Sequence, residues 1–251
     1  MTLLPALHVD FDTQIAVLAE AQRRANGPVM SLVNRLGGSV ESQLSLLPQR
    51  LRDQIDRVVE QALTTAHGLA GAGASAPDLG RRGAVGMAML TGAAGGFGGL
   101  PGAIAELPVT ITVILHAIRR EAQAAGYDPD TPAIRTACLQ VFAAGSPLAT
   151  DDGLNTAFLS ARLTLTGPAL NKVIATVAPR LAAAMGQKLV AQAVPVLGAL
   201  SGAALNAAYL TYYREMARIR FALMRLAEVH GPETVLTTFA KATAAPRITA
   251  A

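Results

Sequence analysis

The sequence predicts an all-α protein, a multi-helix bundle with long apolar central helices and a polar N-terminal helical arm. Three observations carry that expectation. Alternating β-branched runs are nearly absent. The one good example, residues 109–114, begins directly after Pro108 and runs on into Leu115-His116-Ala117-Ile118, as a helix would. Apolar residues recur at helical spacing, most clearly where Leu51, Ile55, Val58, Val59, Ala62, Leu63 and Ala66 fall on one face. Gly-Pro pairs and Asp residues then punctuate the chain at helix-length intervals.

In order, Asp12 is placed to cap a first helix ending near Ala25, ahead of Asn26-Gly27-Pro28. The amphipathic pattern predicts a second helix over residues 48–67. Residues 68–80, GLAGAGASAPDLG, read as a small-residue linker. They divide an N-terminal arm (1–75, with the linker ending over 76–80) from an apolar body (81–240). In the body, a helix over 81–94 gives way to a glycine-rich break and a helix over 101–126. Asp130-Thr131-Pro132 starts another, reaching 144, because proline suits a first helical turn. Asp151 and Asp152 precede one to Thr166, Gly167-Pro168 breaks it, and shorter helices follow to Gln192. Pro195 opens a long helix to His230, which Gly231-Pro232 stops. A short helix over 233–242 precedes a tail, 241–251, expected to fray.

Composition narrows the function. The chain of 251 residues is 51% hydrophobic and 15% charged, against about 25% charged for average globular chains. Its mean hydropathy is +0.37. Aromatics make up 4%, with no Trp, so small residues must supply close helix contact. The net charge of +4 suits either plain solubility or attraction to anionic lipid. There is no dense Lys/Arg cluster with interleaved aromatics, which argues against nucleic acid. One cysteine, Cys138, excludes an intrachain disulfide and sits in an apolar run, as an inert buried thiol would. The first residues carry no basic segment or long apolar run, so a cytoplasmic setting without a secretory signal is expected.

Two stretches stand out. Residues 83–118 carry one formal charge, Glu106, and the first 23 of them, 83–105, hold eight glycines. Gly92/Gly96, Gly95/Gly99 and Gly98/Gly102 are GxxxG pairs, which fit tight packing inside one domain, membrane insertion or a re-entrant hairpin, or room for an acyl chain. Glu106 must be paired if buried. Arg135, Arg162 and Arg214 are the expected partners, and a polar anchor in a lipid cavity is the functional version. The second stretch, residues 189–213, has 25 uncharged residues and then Arg214, Arg218, Arg220 and Arg225, with Tyr209, Tyr212 and Tyr213 at the junction. That junction reads either as a membrane boundary or as one helix buried in its first half and solvated in its second. No P-loop, dinucleotide fingerprint, HExxH, EF-hand loop or nucleophile elbow is present.

GGFGGLPGAIAELP, AAGYDPDTPAIRTACLQVFAAGS and VPVLGALSGAALNAAYLTYYREMARIRF, in that order and spacing, resemble the three characteristic blocks of the EcsC family. The likeness covers residues 81–239. It implies a bacterial, all-helical protein that is membrane-associated or of unknown function, and it carries over no catalytic residue.

The expectation is therefore a non-catalytic lipid-handling or membrane-associated protein, cytoplasmic and peripheral, or alternatively integral. It would bind a fatty acyl ligand or an anionic membrane surface, using Gly95, Gly99, Gly102, Glu106, Val109, Val113, Val196, Leu200, Asn206 and Tyr209. No metal or cofactor is expected. One alternative is a scaffold docking a partner helix, such as a transporter subunit. Another is an enzyme on an apolar substrate with Glu106 as acid or base.

Overall fold

In a computed structural model of the chain, residues 10–25, 48–71, 80–144, 170–192 and 198–244 are described. They form eight α-helices and a 3-10 turn, and no strand. Helix α1 is Phe11–Ala25. Its cap is Asp10, two residues earlier than the sequence suggested. The Asp10 carboxylate accepts the Thr13 backbone N–H at 2.7 Å and its hydroxyl at 2.9 Å, which satisfies an orphan donor of the first turn. Helix α2, Gln49–Gly71, runs through the start of the expected linker.

Helices α3, Gly80–Phe97, and α4, Gly99–Ala124, replace the expected glycine-rich break almost entirely with helix. The interruption is one residue, Gly98, where the chain folds back into a hairpin. Glycine is a poor helix former in isolation, but here each arm packs on the other, and tertiary contact supplies what propensity does not. Pro101 sits in the first turn of α4, where no backbone donor is needed. Gly126, at φ +87°, ends α4. The Tyr127 N–H reaches the Ala122 carbonyl at 3.0 Å across it, a Schellman closure that glycine allows.

Helix α5, Pro132–Gln140, passes into the 3-10 turn Val141–Ala144. Asp130 does not cap α5; it pairs with Arg119 at 2.7 Å. The expected helix over 151–166 lies outside the described residues. Helix α6, Leu170–Gln192, is one element rather than several, with Pro179 on its exposed side. Helix α7, Gly198–His230, has 33 residues, about 50 Å of rod. Pro195 lies outside the described residues. Gly231, at φ +83°, turns the chain into α8, Pro232–Ala244.

Helix α7 is the spine. The hairpin α3–α4 packs along it, α2 beds between α4 and α6, and α1 and α8 cover its far end. One core runs through all of them, from Ile15 on α1 and Val59 on α2, through Leu107 and Ile111, to Phe239 on α8. The uncharged stretch 189–213 is divided between the end of α6 and the start of α7, so it is not one span. Among the described residues, one helix segment is long and apolar enough to cross a membrane: Leu100–Ala124, of mean hydropathy 1.5, with 56% of its most apolar window buried against protein.

The tyrosines of the tyrosine–arginine junction are interior and form no aromatic boundary, whereas Arg218 and Arg225 are exposed. Tyr209, Tyr212 and Tyr213 are all buried. The Tyr209 hydroxyl donates to the Ala184 carbonyl at 2.8 Å and that of Tyr212 to Ala144 at 3.0 Å. The Tyr213 ring meets Phe142 edge-on at 5.1 Å. Arg214 pairs with Glu121 at 2.6 Å, and Arg220 is buried with the Gln140 side chain.

Candidate functional site: a buried polar cluster under an apolar hairpin

Glu106 lies on the inner side of α4, buried among apolar neighbours. Its partner is not an arginine. Lys188, from α6, places its ammonium 3.2 Å from one carboxylate oxygen and 3.3 Å from the other, with its side chain wholly buried. Arg135 instead donates to the His67 carbonyl, Arg214 is held by Glu121, and Arg162 lies outside the described residues. The Thr110 hydroxyl, one turn along α4, donates to Glu106 at 2.5 Å, and the Asn206 amide of α7 donates to the same oxygen. Asn206 also reaches Thr91 on α3 at 3.2 Å. Four helices thus meet at one carboxylate. Burial lowers the Lys188 ammonium from the ordinary lysine value, and the Glu106 carboxylate partly offsets this.

Glycines make that meeting sterically feasible. A Cβ on Gly92 would strike the Gly202 carbonyl of α7, and one on Gly95 would strike the Glu106 carboxylate. A Cβ on Gly102 would come 2.9 Å from the Gly95 carbonyl, and one on Gly98 2.9 Å from the Gly102 Cα. Gly92 lets α3 approach α7 closely, and Gly95, Gly98 and Gly102 let the two arms of the hairpin meet. At Gly92 and Gly95 the space between backbones is filled by protein.

The opposite side of the hairpin is different. On α3, Met87, Leu90, Ala94 and Phe97 recur every three or four residues and face outward. Leu90 is 69% exposed and Phe97 89%. On α4, Pro101, Ala105, Pro108, Val109 and Thr112 are exposed as well. From residue 83 to 118 the only charge is Glu106, and that charge points inward. Arg81 and Arg82 precede this uncharged run, and Arg119 and Arg120 follow it.

The sequence-selected residues therefore separate. Gly95, Gly102, Glu106 and Asn206 come together in the polar cluster. Tyr209 is buried and bonded to Ala184, one turn beyond Asn206. Val113 packs on the core, whereas Val109 is exposed. Gly99 begins α4 and Leu200 lies in the first turn of α7. Val196 is outside the described residues. Sequence reasoning missed Lys188, Thr91, Thr110 and Gly202. For Lys188 there was a signal: it is the lone charge between Arg180 and Arg214, as Glu106 is between Arg82 and Arg119. Among the described residues no group of three or more His, Cys, Asp or Glu gathers to hold a metal.

A model of the EcsC protein family matches residues 81–226, more than half of the chain. No curated protein and no solved structure matches it significantly.

Proposed function

The chain belongs to the EcsC protein family, and from that premise we propose that it is a non-catalytic membrane-surface protein that docks on an anionic bilayer through the outer face of the α3–α4 hairpin. The observation that carries this reading is the outward stripe Met87, Leu90, Ala94 and Phe97 in a segment with no outward charge. Exposed apolar patches of this kind mark interaction surfaces. Each large side chain contributes about 1.5–3 kcal/mol if its exposure is fully relieved, so Met87, Leu90 and Phe97 together support reversible attachment. The uncharged arm of α3 is about 22 Å long, enough to lie in one leaflet with its inner face still on α7. The +4 net charge favours anionic lipid. The Glu106–Lys188 pair fits the same reading, because it consumes both lone charges on the inside.

Flotation with anionic vesicles tests it. Wild-type protein floats with the lipid. Leu90→Glu/Phe97→Glu, at two exposed sites, keeps its helical circular dichroism and loses at least about a hundredfold in partitioning. A wild type that stays at the bottom of the gradient, or a double variant that floats equally, defeats the reading.

A further inference from the structure

The outer face of the hairpin is not uniform along its length. On α3, Met87 is 40% exposed, Leu90 69% and Phe97 89%, so apolar exposure rises toward the Gly98 turn. On α4, which runs back from that turn, the exposed apolar residues Pro101, Ala105, Pro108 and Val109 all precede Thr112. Exposed charge follows the opposite order. Arg82 is exposed at the start of α3, about two turns before Met89 and about four before Phe97, on the same side of the helix. Arg120 is exposed near the end of α4, about three turns beyond Val109 and on its side. The two arms run antiparallel from Gly98, so both arginines belong to the end away from the tip. Beside Arg120 in the chain, Arg119 and Glu121 are held by Asp130 and Arg214.

A helix that lies flat in a bilayer surface divides its polarity across the axis, apolar on one side and charged on the other along its whole length. Here the outward side changes along the axis instead, on both arms and in the same direction. Arginine gains most at the level of anionic headgroups, and a large apolar ring gains most below them. Arg82 and Phe97 are about 22 Å apart along α3, whereas the hydrocarbon of one leaflet is about 15 Å deep. Both preferences are met within one leaflet when the α3 axis tilts from the membrane plane by up to about 40°.

We propose that the hairpin enters the bilayer tip first, with Phe97 and the Gly98 turn deepest and with Arg82 and Arg120 contacting lipid phosphates at its base. This rests on the docking reading and adds to it a direction and a headgroup site. Fluorescent labels on Met87→Cys and on Phe97→Cys, each in a Cys138→Ala background of the full chain, measure depth. The vesicles are phosphatidylglycerol and phosphatidylcholine, with bromines placed either near the carbonyl end or near the methyl end of the acyl chains. The label at 97 is quenched more by the methyl-end bromines, and the label at 87 more by the carbonyl-end bromines. Arg82→Gln/Arg120→Gln, at two exposed sites, loses at least about tenfold in partitioning to phosphatidylglycerol vesicles and is unchanged on pure phosphatidylcholine. Arg50→Gln/Arg57→Gln, the same change in net charge at exposed positions of α2, loses less than about threefold. Equal depths at 87 and 97, or a deeper 87, overturn the tip-first direction while leaving the docking reading intact. A loss no greater for the Arg82/Arg120 pair than for the Arg50/Arg57 pair overturns the headgroup site. Quenching of neither label by either lipid defeats the docking reading itself, and the proposal with it.

Discussion

Replacing Glu106 with Gln removes a charge while keeping the side chain's shape and its capacity to accept from Thr110 and Asn206. It leaves Lys188, whose side chain is wholly buried, without its carboxylate. Breaking a buried pair from one side costs about 3–5 kcal/mol. Lys188→Met leaves Glu106 its Thr110 and Asn206 donors, so its loss falls near the lower end of that range. The double variant Glu106→Gln/Lys188→Met buries no lone charge, and recovers at least about 2 kcal/mol relative to the sum of the single losses. Urea unfolding followed by circular dichroism measures all three. The deficit of Glu106→Gln also depends on pH. Burial already lowers Lys188 from its ordinary 10.5, and the carboxylate that offsets this is gone. Folded Lys188 then releases its proton at lower pH than the unfolded chain does. Between those two values the unfolded state binds more protons, so the variant's stability rises with pH and its deficit narrows toward pH 10.5. A single-variant loss under about 1 kcal/mol, an additive cycle and a pH-independent deficit would together mean that the pair is solvated, and would refute the reasoning.

Two further expectations follow from packing. Gly86→Ala and Gly92→Ala lie on the same helix, yet a Cβ meets open space at Gly86 and the Gly202 carbonyl at Gly92; thermal melts should show the first gaining about 0.4–1 kcal/mol and the second losing about 1–3 kcal/mol. Burial pushes the Cys138 thiol up to about 12, so it resists maleimide at neutral pH in the folded protein and reacts once urea unfolds the chain.

Much of the fold was legible because apolar periodicity and Gly-Pro stops are local signals. The end of α7 and the start of α8 are marked by Gly231 and Pro232 in the sequence itself. The glycine-rich segment was misread as a break because propensity is intrinsic, whereas its helicity depends on Gly92 lying against Gly202, 110 positions away. The α1 cap moved from Asp12 to Asp10 because both residues offer the same carboxylate, and only the three-residue reach to Thr13 distinguishes them. At the site, burial of Glu106 and its need for a partner were readable from its apolar surroundings. The partner's identity was not, since any basic residue on a distant helix satisfies the same charge rule. The tyrosines misled for a related reason: their sequence neighbours are the same at a membrane boundary as at the end of a buried half-helix, and Tyr213 against Phe142 is a tertiary fact.

The central claim is that the outward side of α3 meets lipid. An environment-sensitive fluorophore on Leu90→Cys, in a Cys138→Ala background, tests it against the same label on Arg57→Cys, an exposed position of α2. With anionic vesicles the label at position 90 should shift to the blue and be quenched by brominated acyl chains, while the label at 57 stays in water. A label at 90 that keeps its aqueous spectrum and escapes quenching, with vesicles in excess, would contradict the account.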